Sequence, residues 1–216
     1  MISTWDDRVR TALFLYLEAL TAKSPDGSVP WADLKQFRVD GQVVHLLGAR
    51  GIWTPAGMDA ALTITTTYTP PSQKPPYADS IGPDGLVRYK YQGTDAKNRD
   101  NTALRRAMAT SAPLAYFIGV DKGVYVPRWP VWIVAEDAAQ MEFAVAVDEG
   151  LRLLSGASLE APQRAYAARL VQERLHQPVF HSKVSRQNRP TLAFSDSNKP
   201  GKVGYRPTQP VKFRDD

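Results

Sequence analysis

Apolar residues recur at helical spacing over residues 4–20, where Val9, Leu13, Tyr16, Leu17 and Leu20 form one stripe. Thr4 stands at a capping position, and Asp6 and Asp7 fall in the first turn, where the helix dipole favours acids. Residues 23–28 break the pattern, and Pro30 opens a second short helix over residues 31–37. From Arg38 the alternation shortens to every second residue. Residues 38–43 predict a hairpin around Asp40-Gly41, and residues 61–68 a half-buried strand ended by Pro70, Pro71, Pro75 and Pro76. Residues 86–92 alternate as well, with Leu86, Arg88, Lys90 and Gln92 on one face and Val87, Tyr89 and Tyr91 on the other. A helix is predicted over 98–108, with Arg105 and Arg106 near its end. Strands follow at 113–120, 124–126, 131–134 and 142–148, with a turn at 121–123 and with Pro127 and Pro130 between the second and third. Residues 160–176 predict a terminal helix. Several short strands with helices at either end make an α+β chain, its sheet a rolled or barrel-like one.

Composition narrows the class. The chain has 216 residues, enough for one well-buried domain and a small appendage. With 43% hydrophobic and 23% charged residues it reads as soluble and globular. The absence of cysteine excludes disulfides, zinc-thiolate sites and a cysteine nucleophile. The apolar run at 12–20 contains Glu18, is too short to span a bilayer and follows two acids, so neither export nor a membrane span is expected.

The net charge of +5 is unevenly placed. Residues 181–216 hold eight Lys/Arg and three Asp/Glu, and the remainder holds 19 of each sign. This proline-containing, aperiodic segment reads as an extended or disordered basic tail, either a plain terminus or an auxiliary arm for nucleic acid. Within the neutral body, Arg88, Lys90, Lys97, Arg99, Arg105 and Arg106 face only Asp95 and Asp100 in sequence. A local patch of that kind suits phosphates, although a run of charge is more often a solvated face.

Catalytic signatures are sparse. His45, His176 and His181 lack metal-ligand spacing, and no phosphate loop, nucleophile elbow or HExxH sequence occurs. Asp79, Asp84, Asp95 and Asp100 lack the spacing of a calcium loop, and Asp84 belongs to the turn Gly82-Pro83-Asp84-Gly85. Binding chemistry is better supplied. Tyr77 and Tyr91 flank that turn, and two rigid aromatic plates can sandwich an unstacked base. A carboxylate such as Asp79 can accept from the exocyclic amine of cytosine, and Gly93 permits close backbone approach. From composition alone, ordinary core packing is the better account of the same tyrosines.

Tyr77-Ala-Asp79, Tyr89-Lys-Tyr91-Gln-Gly93, Asn98-Arg-Asp-Asn101 and Ala103-Leu-Arg-Arg-Ala107 resemble an SRA (SET and RING-associated) domain. The strands at 113–120, 123–127 and 129–134 and the segment 164–178 extend the resemblance over about residues 37–180, nearest to the bacterial readers that precede an HNH nuclease module. The resemblance implies an SRA-like, PUA-like rolled β-barrel flanked by helices. The division expected is a helical segment at 1–36 and the basic tail at 181–216, read from pattern and composition, around the SRA-like DNA-binding domain at 37–150 and a helix at 151–180. Tyr77 and Tyr91 would sandwich a flipped 5-methylcytosine, Asp79 would read its edge, and Gln92 and Gly93 would line the pocket. Arg88, Lys90, Lys97, Arg99, Arg105 and Arg106 would meet the DNA backbone or a groove. The zinc cysteines and the His/Asn/His set of the nuclease are not in this sequence, so the expectation is a reader that is not itself an enzyme and needs no cofactor or metal. Its partner would be double-stranded DNA carrying methylated cytosine, with a separate nuclease as a candidate second partner, in the cytoplasm on the nucleoid. The alternatives are a PUA-like RNA-binding module, a divergent metal-dependent nuclease using Asp79, Asp95 or Asp100, and an interaction subunit whose tyrosines only pack.

Overall fold

The computed structural model describes residues 3–70, 72, 80–154 and 169. Helix α1 (Thr4–Thr21) forms where the 3.6-residue stripe predicts it, and Val9, Leu13 and Leu17 on that stripe are fully buried. Its cap is Ser3 rather than Thr4: the Ser3 hydroxyl accepts from Asp6 N at 3.1 Å. Strand β1 (Val29–Pro30) leads into α2 (Trp31–Leu34), which ends a turn earlier than its sequence suggests. The hairpin β2 (Arg38–Val39) and β3 (Gln42–Val43) closes through Asp40 at φ 51° and Gly41 at φ 79°. Two successive left-handed residues make the turn that matches strand twist, which is why Asp-Gly signals it so well.

Next come β4 (Ile52–Trp53), β5 (Thr63–Thr66), β6 (Ser80–Ile81) and β7 (Val87–Lys90). Helix α3 (Arg99–Ala109) is capped by Asn98, whose side chain accepts from Asp100 N at 2.9 Å. The remaining elements are β8 (Leu114–Asp121), β9 (Val124–Asp137), β10 (Glu142–Ala146) and α4 (Glu149–Leu154), the last of which starts two residues before the helix expected at 151–180.

The strands form one sheet in the order β4-β5-β8-β9-β10-β7-β6, with β1 also on β9. Strands β5 and β8 are parallel, from Thr63 beside Ala115 to Thr66 beside Ile118, and the other pairs are antiparallel. A parallel pair needs a long crossover, and here it contains β6, β7 and α3. The architecture is therefore mixed α+β with a mostly sheet core. Among the described strands the sheet does not close into a barrel, since β4 and β6 are its ends.

Two apolar cores lie against the sheet, and β8 separates them. Leu114 and Tyr116 join the cluster containing Leu104, Tyr91 and Phe143, while Ala115 and Phe117 join the one containing Val9, Leu13 and Leu34. A strand covered on both faces reads as an unbroken apolar run, as the sequence from Leu114 to Ile118 does.

The two strands expected at 124–126 and 131–134 are a single one, β9, which runs straight through Pro127 and Pro130. Proline removes a ladder donor, so it belongs where a strand is bonded on one side only. Between Val126 and Val131, β9 pairs with β8 alone: β1 reaches Val124 and Tyr125, and β10 begins at Trp132. Both prolines fall in that window.

The predicted terminal helix, apart from Arg169, and the whole of 177–216 lie outside the described residues. Among the described residues no helix is long and apolar enough to cross a membrane.

Candidate nucleic-acid interface

The alternation of β7 places Val87 and Tyr89 inward and leaves Arg88 and Lys90 half-exposed. Tyr89 reaches across the core, where its hydroxyl lies 2.8 Å from Gly51 O and 3.1 Å from Thr65 O. It thereby ties β7 to β5 and to the loop before β4. A glycine is required at that crossing: a Cβ on residue 51 would lie 2.5 Å from the Tyr89 hydroxyl and 3.0 Å from Thr65 O. Beside this junction opens a cavity of about 220 Å³, bordered by Arg50, Ile52, Thr65, Thr67, Tyr91 and Gln92 among others. That is smaller than the roughly 300–1,000 Å³ typical of drug-sized sites and suits a single small planar group. Gly51→Ala is expected to destabilise the fold by about 1–3 kcal/mol through overpacking and to deform this cavity. A urea midpoint equal to that of the parent would show the crossing to be looser than described.

Tyr91 borders the cavity but exposes only 3% of its surface. Its ring packs on Phe143 with centroids 5.0 Å apart, and the Arg105 guanidinium lies 5.5 Å from the ring centroid. The Tyr91 hydroxyl donates to Glu136, and Arg105 grips the same carboxylate through Nε at 2.9 Å and 3.0 Å and Nη2 at 2.6 Å. Arg105 Nη1 also donates to Ala96 O at 2.6 Å. Burial pushes the Tyr91 hydroxyl up, assisted by the neighbouring carboxylate, so it stays a donor. The hydrogen bonds from Arg105 hold the Glu136 carboxyl below its ordinary range against the opposing effect of burial, and Tyr91 adds to them. The Arg105 guanidinium is held charged by Glu136.

A carboxyl whose pKa is lower in the folded state lends stability above its unfolded pKa and loses it as pH falls through the folded one. The Glu136 contribution should therefore be whole at neutral pH and fade below about pH 4.3, the usual glutamate value. Glu136→Gln is expected to be less stable than the parent at pH 7 and to show a shallower further loss on acidification. Parallel stability-versus-pH curves for the two would contradict this.

The chain beyond Tyr91 is shaped by Asn101, which is fully buried at the start of α3. Its Oδ1 accepts from Gln92 N at 2.8 Å, and its Nδ2 donates to Asp95 O at 3.0 Å and Gln92 O at 3.3 Å. One side-chain amide thus replaces a strand partner for the turn over 92–95. Gly93 sits in that turn at φ 67° with open space around it, so its backbone conformation, and not a close approach, calls for glycine.

The basic residues are distributed differently from their order in sequence. Lys90 Nζ lies 2.6 Å and Arg88 Nε 3.6 Å from the Glu142 carboxylate on β10, and Arg88 also pairs with Asp84 at 2.7 Å. Arg105 is committed to Glu136, and Arg106 lies 3.6 Å from Asp59 on the surface. Lys97 and Arg99 are exposed and form no ion pair among the described residues. Arg50, which sequence reasoning did not select, is exposed at the rim of the cavity and lies 3.1 Å from Asp100. Its only signal in the sequence is its place between Gly48 and Gly51 in a loop that must turn tightly.

Tyr77 and Asp79, the other two expected pocket residues, lie outside the described residues. Of the acids considered for metal binding, Asp84 and Asp95 accept backbone N–H groups within their own turns, at 3.1 Å from Leu86 N and 2.8 Å from Lys97 N. Among the described residues no three His, Cys, Asp or Glu side chains gather where they could hold a metal ion. Comparison with protein-family models, curated proteins and solved structures gives no match to this chain.

Proposed function

We propose that this chain is a DNA-binding reader of the SRA-like, PUA-like kind, not an enzyme, which takes a flipped modified cytosine, 5-methylcytosine first, into the cavity beside Tyr91. The observation that carries the reading is the cavity itself: it opens at Tyr91 and Gln92, where the resemblance places the base pocket, and Arg50 stands at its rim. Its lining supplies what a methylated base would use. Ile52 offers apolar surface for the methyl group, the Gln92 amide is both donor and acceptor for a base edge, and the threonines of β5 add hydroxyls. Arg50 offers a phosphate its guanidinium. Extruding a base costs a few kcal/mol, which polar contacts to Gln92 and the threonines and the phosphate contact to Arg50 would offset.

The test is a set of duplexes identical except for one base, carrying cytosine, 5-methylcytosine, 5-hydroxymethylcytosine or, on adenine, N6-methyladenine. The expected result is tightest binding to a modified cytosine, over a background that weakens steeply with salt. Equal affinity for all four would overturn recognition of modification, and no shift even at low salt would overturn DNA binding itself.

A further inference from the structure

Two cations border the cavity, Arg50 from the loop before β4 and Lys90 from the end of β7. Each is paired with an acid, but not in the same way. Arg50 uses Nε alone, 3.1 Å from Asp100, and its two terminal nitrogens take no partner among the described residues. Lys90 has a single nitrogen, which lies 2.6 Å from Glu142 Oε2 and 3.4 Å from Gln140 O. Arg50 therefore keeps a fork of donors for a phosphate, whereas the Lys90 ammonium is already engaged within the fold.

Register places Glu142 for this. It stands directly across from Lys90 on β10, and its side chain is only 13% exposed. Arg88, on the same face of β7, lies 3.6 Å from the same carboxylate and 2.7 Å from Asp84. These two cations and two acids carry no net charge together. Opposite charges across a strand pair hold each other in place, and here the carboxylate is held by two cations. A Lys90 that swung out to a phosphate would leave that carboxylate behind at the same mouth, so the phosphate would gain little.

A base in the cavity carries its own phosphates at the mouth, within reach of the residues that border it. We infer that Glu142 neutralises Lys90 against DNA, so that Arg50 takes the backbone of the bound strand and the salt-dependent background of binding is held down. The inference rests on the reading of the chain as a DNA-binding protein, and under it Arg88 and Lys90 bring no net charge to the backbone contact. Background binding grows with each cation that a phosphate can reach, and log affinity falls with log salt by about 0.9 per such contact.

The experiment measures binding of the full chain to duplexes with cytosine or 5-methylcytosine across a salt series. It compares the parent, Glu142→Gln and the double variant Lys90→Gln with Glu142→Gln, and circular dichroism confirms that each is folded. Glu142→Gln frees Lys90 and should bind both duplexes several-fold more tightly at low salt, with a salt slope steeper by about 0.9. The double variant removes a cation and an anion together and should return to the affinity and slope of the parent. Should Glu142→Gln fail to fold, Lys90→Gln alone, which bares the carboxylate, should bind both duplexes more weakly while the double variant still matches the parent. Unchanged affinity and slope in folded Glu142→Gln would overturn the inference, since DNA would not then come to this side of the cavity. A double variant weaker and shallower in slope than the parent would overturn it too, because Lys90 would already be serving a phosphate. Either result leaves the reader standing if methylated duplex is still preferred, and a parent that binds neither duplex overturns both.

Discussion

Arg10→Met is expected to destabilise the protein by about 3–5 kcal/mol, the usual cost of removing one partner of a buried ion pair. Arg10 and Asp6 are 3% and 2% exposed and pair one turn apart on α1. The remaining guanidinium donors reach Pro113 O at 2.6 Å and Ala61 O at 3.1 Å, so one side chain fastens the helix to the segments leading into β5 and β8. Methionine fills similar space but leaves a buried carboxylate with no counter-charge and two carbonyls without a donor. Replacing Asp6 by leucine in the same chain should restore part of the loss, since the stranded charge goes while the carbonyls stay unpaired. Urea denaturation of the two variants measures both effects, and a loss below 1 kcal/mol for Arg10→Met would mean that the ion pair is not buried as described.

Tyr91→Ala is expected to cost a comparable 3–5 kcal/mol, because it empties a packed aromatic site and strips one donor from Glu136. Tyr91→Phe keeps the ring on Phe143 and removes only the hydroxyl, for about 1–3 kcal/mol. The contrast matters for any test of the cavity. Loss of DNA binding in Tyr91→Ala reports on the core, whereas Tyr91→Phe leaves the ring and the wall of the cavity in place. A thermal or urea series in which the two variants are equally stable would show that the ring is not packed as described.

How much of this was legible beforehand differs by element. The hairpin over β2 and β3 was readable from Asp40-Gly41 alone, because two positive-φ positions in a row admit few residue pairs. Strand β7 and helix α3 were readable from their periods, and the inward set Val87, Tyr89 and Tyr91 is buried as the alternation requires. The break assumed at Pro127 and Pro130 was not real. Whether proline ends a strand depends on whether its missing N–H faces a neighbour, and that neighbour is set by sheet order. The tyrosine site was legible in part. Position 91 was recognisable as special, but its partners Phe143 and Glu136 lie 52 and 45 residues further along the chain.

The charges show the same limit. In sequence, Arg88, Lys90 and Arg105 stand in a basic run. In the fold, β10 and β9 bring Glu142 and Glu136 beside them, and the run is largely compensated. Lys97 and Arg99 are exposed and form no ion pair among the described residues, whereas Arg50, which entered no reading of the sequence, pairs with Asp100 at the rim of the cavity.

The sequence by itself determined the period of α1, α3, β5, β7, β8 and β10, the turn at Asp40-Gly41, the α+β class and the absence of cysteine chemistry, since these depend on residues within a few positions of one another or on composition. Tertiary structure alone decided the parallel pairing of β5 with β8, the partners of Tyr91, the pairing of the basic run and the cavity beside Arg50. Each of those brings together groups tens of residues apart, and no local pattern encodes which distant strand will supply the neighbour.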